Sequence, residues 1–128
     1  MPFFPGEIIE SVAVIKGRGV LIAKHNDSGV SFYWGSHTEN RRDAADQEQL
    51  LGEFREDTMI GEAVRRVLRP KRYMVYTIDP MSMTMETRDY RAFLKPSEAL
   101  DFVRTTPLQR KKHWLLHWGI KAIDARER

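Results

Sequence analysis

The chain has 128 residues, 41% of them hydrophobic and 30% charged, a composition that is globular rather than disordered and sized for one domain. It contains no cysteine, which excludes disulfides, thiolate metal sites and cysteine nucleophiles. The net charge of +3 is unevenly divided: residues 1–64 carry 6 Lys/Arg against 11 Asp/Glu, a net −5, and residues 65–128 carry 15 against 7, a net +8.

The opening Met1-Pro2-Phe3-Phe4-Pro5-Gly6 lacks the basic region and apolar stretch of a signal peptide. The longest apolar runs, Val12 to Ile15 and Val20 to Ala23, fall far short of the roughly 20 residues a membrane span needs. A cytoplasmic protein with no membrane partner is expected. Ile8 to Ile15 then reads as a strand, and Lys16-Gly17-Arg18-Gly19 as a turn built on glycine's tolerance of positive φ. Val20 to Lys24 is the return strand. Asn26-Asp27-Ser28-Gly29 turns again into Val30 to Trp34, rich in β-branched and aromatic residues, so an antiparallel three-stranded meander is predicted.

Thr38 to Gln47 is polar, with no apolar periodicity, and reads as a loop or the solvated start of a helix. Leu50, Leu51 and Phe54 form a short apolar helical face. Asp57 or Thr58 can cap a second helix, in which Ile60, Ala63, Val64, Val67 and Leu68 recur at three- and four-residue steps until Pro70 stops it. Tyr73 to Ile78 is a fourth strand. After the Asp79-Pro80 turn, the strict alternation of Met81 to Thr87 predicts a half-buried strand, interrupted near Arg88-Asp89 and continuing to Phe93. Pro96 suits the first position of a helix ending near Arg104.

Thr106-Pro107-Leu108-Gln109 has the form of a capping box and predicts a last helix running to about Ala125. It would carry Leu108, Leu115, Trp118 and Ala122 on the core side, with Arg110, His113, His117, Lys121 and Asp124 opposite. The resulting order is βββ-αα-ββ-αα. That order predicts a single α+β domain over 1–128, with a five-stranded, mostly antiparallel sheet and helices packed on one face.

Ser11 to Lys24, followed by Gly61-Glu62-Ala63-Val64-Arg65-Arg66-Val67-Leu68, resembles the Nudix hydrolases in placing a hairpin before a helix. That family's helix carries an Arg-Glu-apolar-x-Glu-Glu run whose carboxylates hold a divalent metal. With Arg65 aligned to the arginine, Arg66, Arg69 and Pro70 stand where three glutamates belong. Cations do not ligate magnesium, and the chain is not assigned to the family. His113 and His117, four apart on the expected helix, have metal-ligand spacing but no evident co-ligands; His25 and His37, read as loop residues beside Asp27 and Glu39, could in principle converge on them, but nothing in the sequence says that they do. No metal and no cofactor is expected. Asp79, Glu86 and Arg88 are similar to the carboxylate–carboxylate–lysine pattern of metal-dependent nucleases, except that arginine cannot give up a proton to act as a base.

The basic clusters are the functional candidates. Arg65, Arg66, Arg69, Lys71 and Arg72 place five cations in eight residues, and Arg110, Lys111 and Lys112 add three at the expected helix start, where the dipole disfavours them. Brought together, they would contact several phosphates. Tyr33, Trp34, Tyr73, Tyr76 and Trp114 are available as stacking surfaces. The expectation is a non-catalytic binding protein whose basic C-terminal half engages a polyanion, namely nucleic acid or a nucleoprotein complex. The alternatives are an assembly or inhibitor module that binds an acidic protein surface, and an enzyme of unrecognised type.

Overall fold

A computed structural model describes residues 6–35, 42–55, 58–108, 110–111 and 113–126. Within them the chain forms three helices and nine strands, and the strands fall into sheets of four, three and two. The α+β character holds. The single five-stranded sheet with helices on one face does not, because the last expected helix is built of strands and a fourth strand joins the meander. The chain divides into two compact units, residues 9–69 and residues 1–8 with 70–128.

In the meander unit, β1 (Ile8–Ile15, whose first residue belongs to the other unit), β2 (Gly19–Asn26), β3 (Gly29–Gly35) and β4 (Arg42–Ala45) lie in sequence order. Gly19 makes the first turn possible: its φ is +102°, and a Cβ there would overlap the Gly35 carbonyl on β3. β2 and β3 pair antiparallel in register from Val20↔Gly35 to Asn26↔Gly29. β4, expected as loop or helix, pairs antiparallel with β3, and its exposed Arg42 and Asp43 give the sheet a charged edge that discourages further pairing.

Two helices follow as read. In α1 (Gln47–Glu53) the Asp46 side chain accepts from the Glu48 and Gln49 amides, and in α2 (Met59–Val67) the Thr58 hydroxyl accepts from the Gly61 amide. The buried faces of α1 and α2, Leu50, Val64 and Val67, share one cluster with Leu21, Ala23 and Phe32 of the sheet. Burying each valine contributes about 1.5–3 kcal/mol.

The other unit is organised on β5 (Lys71–Ile78), flanked antiparallel by β6 (Thr87–Phe93) and β9 (His117–Asp124). Met81 to Glu86 is not a strand. The Asp79 carboxylate accepts from the Met81 amide, an Asx turn; Ser82 N–H donates to the Asp79 carbonyl and Met85 N–H to the Ser82 carbonyl, and Met85 takes a φ of +51°. Local side-chain bonding thus overrides the alternating pattern. α3 (Pro96–Thr105) buries Pro96, Ala99 and Val103, the last two in one core with Ile8, Tyr73, Val75 and Trp118.

Thr106 ends α3 rather than opening another helix, its N–H donating to the Phe102 carbonyl. Gln109, the partner in the expected capping box, lies outside the described residues. The chain beyond forms β7 (Arg110–Lys111), β8 (Trp114–Leu115) and β9. Trp118, Ile120 and Ala122 do reach the core, but at the two-residue period of a strand, and Leu115 is 45% exposed.

Candidate functional site

Two strands of two residues cannot stand alone, and the β7–β8 hairpin is pinned from outside. Lys111 and Trp114, paired with each other across it, both reach Asp79 at the end of β5. Lys111 Nζ donates to Asp79 Oδ2 at 3.0 Å, and Trp114 Nε1 to Oδ1 at 2.9 Å, beside the Met81 amide at 3.0 Å. The carboxylate is only 6% exposed and is supplied on both oxygens. Burial pushes its carboxyl up; the hydrogen bonds from Lys111, the Met81 amide and Trp114, together with the Lys111 charge, outweigh this and hold it below the ordinary carboxylate range.

Around this anchor lies a cleft of about 280 Å³, lined by Thr77, Asp79, Glu86, Arg88, Arg110 and Lys111 among others. β6 brings Arg88 there opposite Thr77, whose hydroxyl donates to the Arg88 carbonyl at 3.4 Å, and β7 brings Arg110 and Lys111. Arg88 and Arg110 are exposed and make no ion pair among the described residues. Asp79, Glu86 and Arg88 therefore do share a site. Its most buried carboxylate is spent on structural donors, and the arrangement is that of a cationic cleft with an internally neutralised base.

The basic candidates divide between the two units. Arg65, Arg66 and Arg69 sit at the end of α2 in the meander unit, where cations suit the helix dipole, and Arg66 and Arg69 are engaged with other groups. Lys71 and Arg72 open β5. Lys71 is paired with Asp124, its side chain only 8% exposed, whereas Arg72 is exposed. Arg110 and Lys111 stand near the opposite end of β5, roughly 25 Å away along the strand at 3.3 Å per residue. Lys112 lies outside the described residues. The dipole argument for the second cluster falls with the helix. By unit rather than by half, the β5 unit carries 12 Lys/Arg against 8 Asp/Glu, a net +4, and the meander unit 9 against 10.

His113 and His117 are not one helical turn apart: His113 is in the β7–β8 turn and His117 opens β9. His25 lies in β2, not a loop, buried with its Nε2 3.1 Å from Glu10 Oε2. His37 is outside the described residues. Among the described residues no three His, Asp or Glu side chains are grouped to hold a metal, and no helix is long and apolar enough to cross a membrane. Arg88 is the cleft residue that the basic-cluster reading missed, because it stands alone in sequence and meets Arg110 only where β6 and the β7–β8 hairpin line one cleft.

Comparison with protein-family models, with curated proteins and with solved structures finds no match for the chain.

Proposed function

We propose that the protein is a non-catalytic binding protein whose β5 unit engages a polyanion, a nucleic acid or nucleoprotein. The observation that carries this reading is the convergence of Arg88 and Arg110, from two separate elements, on one open cleft in which Lys111 already neutralises Asp79 and Glu86 offsets one of the two guanidinium charges. Guanidinium groups held at such a mouth suit phosphate oxygens, to which they donate in pairs. The net +4 of the unit adds a longer-range attraction that salt screens.

The test is fluorescence polarisation against RNA and DNA at two salt concentrations, with wild type and an Arg88→Gln/Arg110→Gln double variant. The expected result is weaker binding across all sequences, with the salt slope reduced by up to two phosphate contacts, about 1.4–1.8 in log–log units. Both side chains are exposed, so stability stays within about 0.5 kcal/mol. Unchanged affinity in the double variant rejects the reading.

The protein-interaction alternative draws on a different observation. Met81, Met83 and Met85 are 65, 102 and 47% exposed on the turn after β5, a run of adaptable apolar side chains of the kind found at protein-binding surfaces. A partner held there would bind with little dependence on salt, and this separates the two readings.

A further inference from the structure

α3 covers one face of the β6-β5-β9 sheet, the face of Tyr73, Val75 and Trp118. By strand alternation the opposite face carries Arg72, Met74, Tyr76 and Ile78 from β5, and His117, Gly119, Lys121 and Ile123 from β9. Gly119 is directly opposite Tyr76. A Cβ at 119 would stand 2.7 Å from Tyr76 Cε2, so the phenol ring lies flat across the glycine backbone, in space that only glycine leaves. Lys121 Nζ lies over the ring, 5.2 Å from its centroid, and Arg72, exposed, is on the same face roughly 13 Å along the strand. The face's carboxylate is Asp89, opposite Tyr76 on β6, and it pairs with Lys121 at 3.0 Å. Both of those groups are about half exposed, so the pair is weak and open to exchange.

We infer that this face is a stacking platform for single-stranded nucleic acid, in which Tyr76, laid flat on Gly119, receives a base in place of the Lys121 ammonium that lies over it, while Lys121 and Arg72 meet the backbone phosphates. The inference rests on the polyanion reading above and narrows it. A ring flat on a sheet suits an unpaired base, whose π-face is open, and not a duplex, whose bases are stacked on one another. Charge complementarity commits the face to this occupant: when phosphate replaces Asp89 as the partner of Lys121, the cation keeps a counter-charge and the base gains the ring.

The test compares a fluorescein-labelled deoxythymidine 12-mer, a duplex of equal length and inorganic polyphosphate as probes for wild type, Tyr76→Leu, Tyr76→Phe and Asp89→Asn. Tyr76→Leu is expected to weaken single-strand binding by roughly 5- to 100-fold, with an unchanged salt slope and unchanged polyphosphate binding. Tyr76→Phe keeps the wild-type affinity. Asp89→Asn binds the single strand more tightly, and it tests the platform even should Tyr76→Leu fail to fold. Equal single-strand binding by Tyr76→Leu and wild type overturns the inference, as does unchanged affinity in Asp89→Asn. A wild-type protein that binds polyphosphate or duplex but not the single strand overturns it while leaving the polyanion reading intact; one that binds none of the three overturns both.

Discussion

The meander unit closes its sheet between neighbours in sequence, with Asn26 opposite Gly29 across a two-residue turn. The β5 unit closes its sheet across the length of its chain, with Lys71 bonded to Asp124, 53 residues away. Loop-closure entropy grows only slowly with length, so this difference bears less on stability than on the order of events: hairpins form early, and β5 must wait for β9. The two cores follow suit. The meander core is mainly aliphatic, built on Leu21, Leu50, Val64 and Val67. The β5 core is stitched by rings, with Trp118 of β9 5.6 Å from Phe102 of α3 and 5.3 Å from Tyr90 of β6. One long-range strand therefore supplies the side chain that ties the other elements together.

The largest expected effect tests that dependence. Trp118 is 1% exposed, and its Nε1 donates to the Thr106 carbonyl at 3.2 Å. Trp118→Ala should cost about 3–5 kcal/mol in chemical denaturation. Leu115, which the helical pattern would place beside Trp118 in the core, is 45% exposed, and Leu115→Ala should stay within about 0.5 kcal/mol. A cost for Leu115→Ala comparable with that of Trp118→Ala would break the comparison, because it would restore the helix.

The meander unit offers a smaller perturbation of local origin. The Thr58 hydroxyl takes the Gly61 amide at 3.1 Å and satisfies one of the donors left open at the start of α2. Thr58→Ala should cost about 1 kcal/mol, and Thr58→Ser should recover most of it. Loss of stability in both variants alike would mean that the hydroxyl is not what holds this end.

The same contrast governs how much was legible in the sequence. Gly17, Gly19 and Gly29 announce the meander turns, and Thr58, Pro70 and Pro96 set helix ends; all of these act within a few residues. Arg42 to Ala45 shows no such signal, since its charged residues become a strand only because β3 offers an edge. In the segment from Thr106 to Ala125, Trp118, Ile120 and Ala122 alternate as a strand while Leu115, Trp118 and Ala122 recur as a helix. Only pairing with β5, more than thirty residues earlier, decides between the two. Gly119, unfavourable inside either element, was the available clue that another group lies against the backbone there. The site followed the fold: Arg110 and Lys111 were visible as cations, but Arg88 and Asp79 joined them, and the Tyr76 ring met Lys121, through contacts that no local pattern records.

The smallest expected effect concerns the hairpin that the β5 unit holds by a contact 32 residues long, from Lys111 to Asp79. Asp79 titrates below its ordinary value of 3.8 in the folded protein, since the donors from Lys111, Met81 and Trp114 outweigh the burial that raises it. A carboxyl whose folded pKa lies below its unfolded one stabilises the fold at pH values above the unfolded pKa, and that contribution is lost as pH falls through the folded one. Lys111→Met removes one donor and the opposite charge, so the variant should melt below wild type at neutral pH. The gap should narrow as pH drops beneath 3.8 and close once the carboxyl is protonated in both states. The drop should be smaller than that of Thr58→Ala, because the Lys111 side chain is 48% exposed and two donors to Asp79 remain. Added salt should shrink it further. A gap of constant size from neutral to acid pH would show that Lys111 acts through its hydrocarbon stem and not through Asp79, and the pinning of β7–β8 would then rest on Trp114 alone.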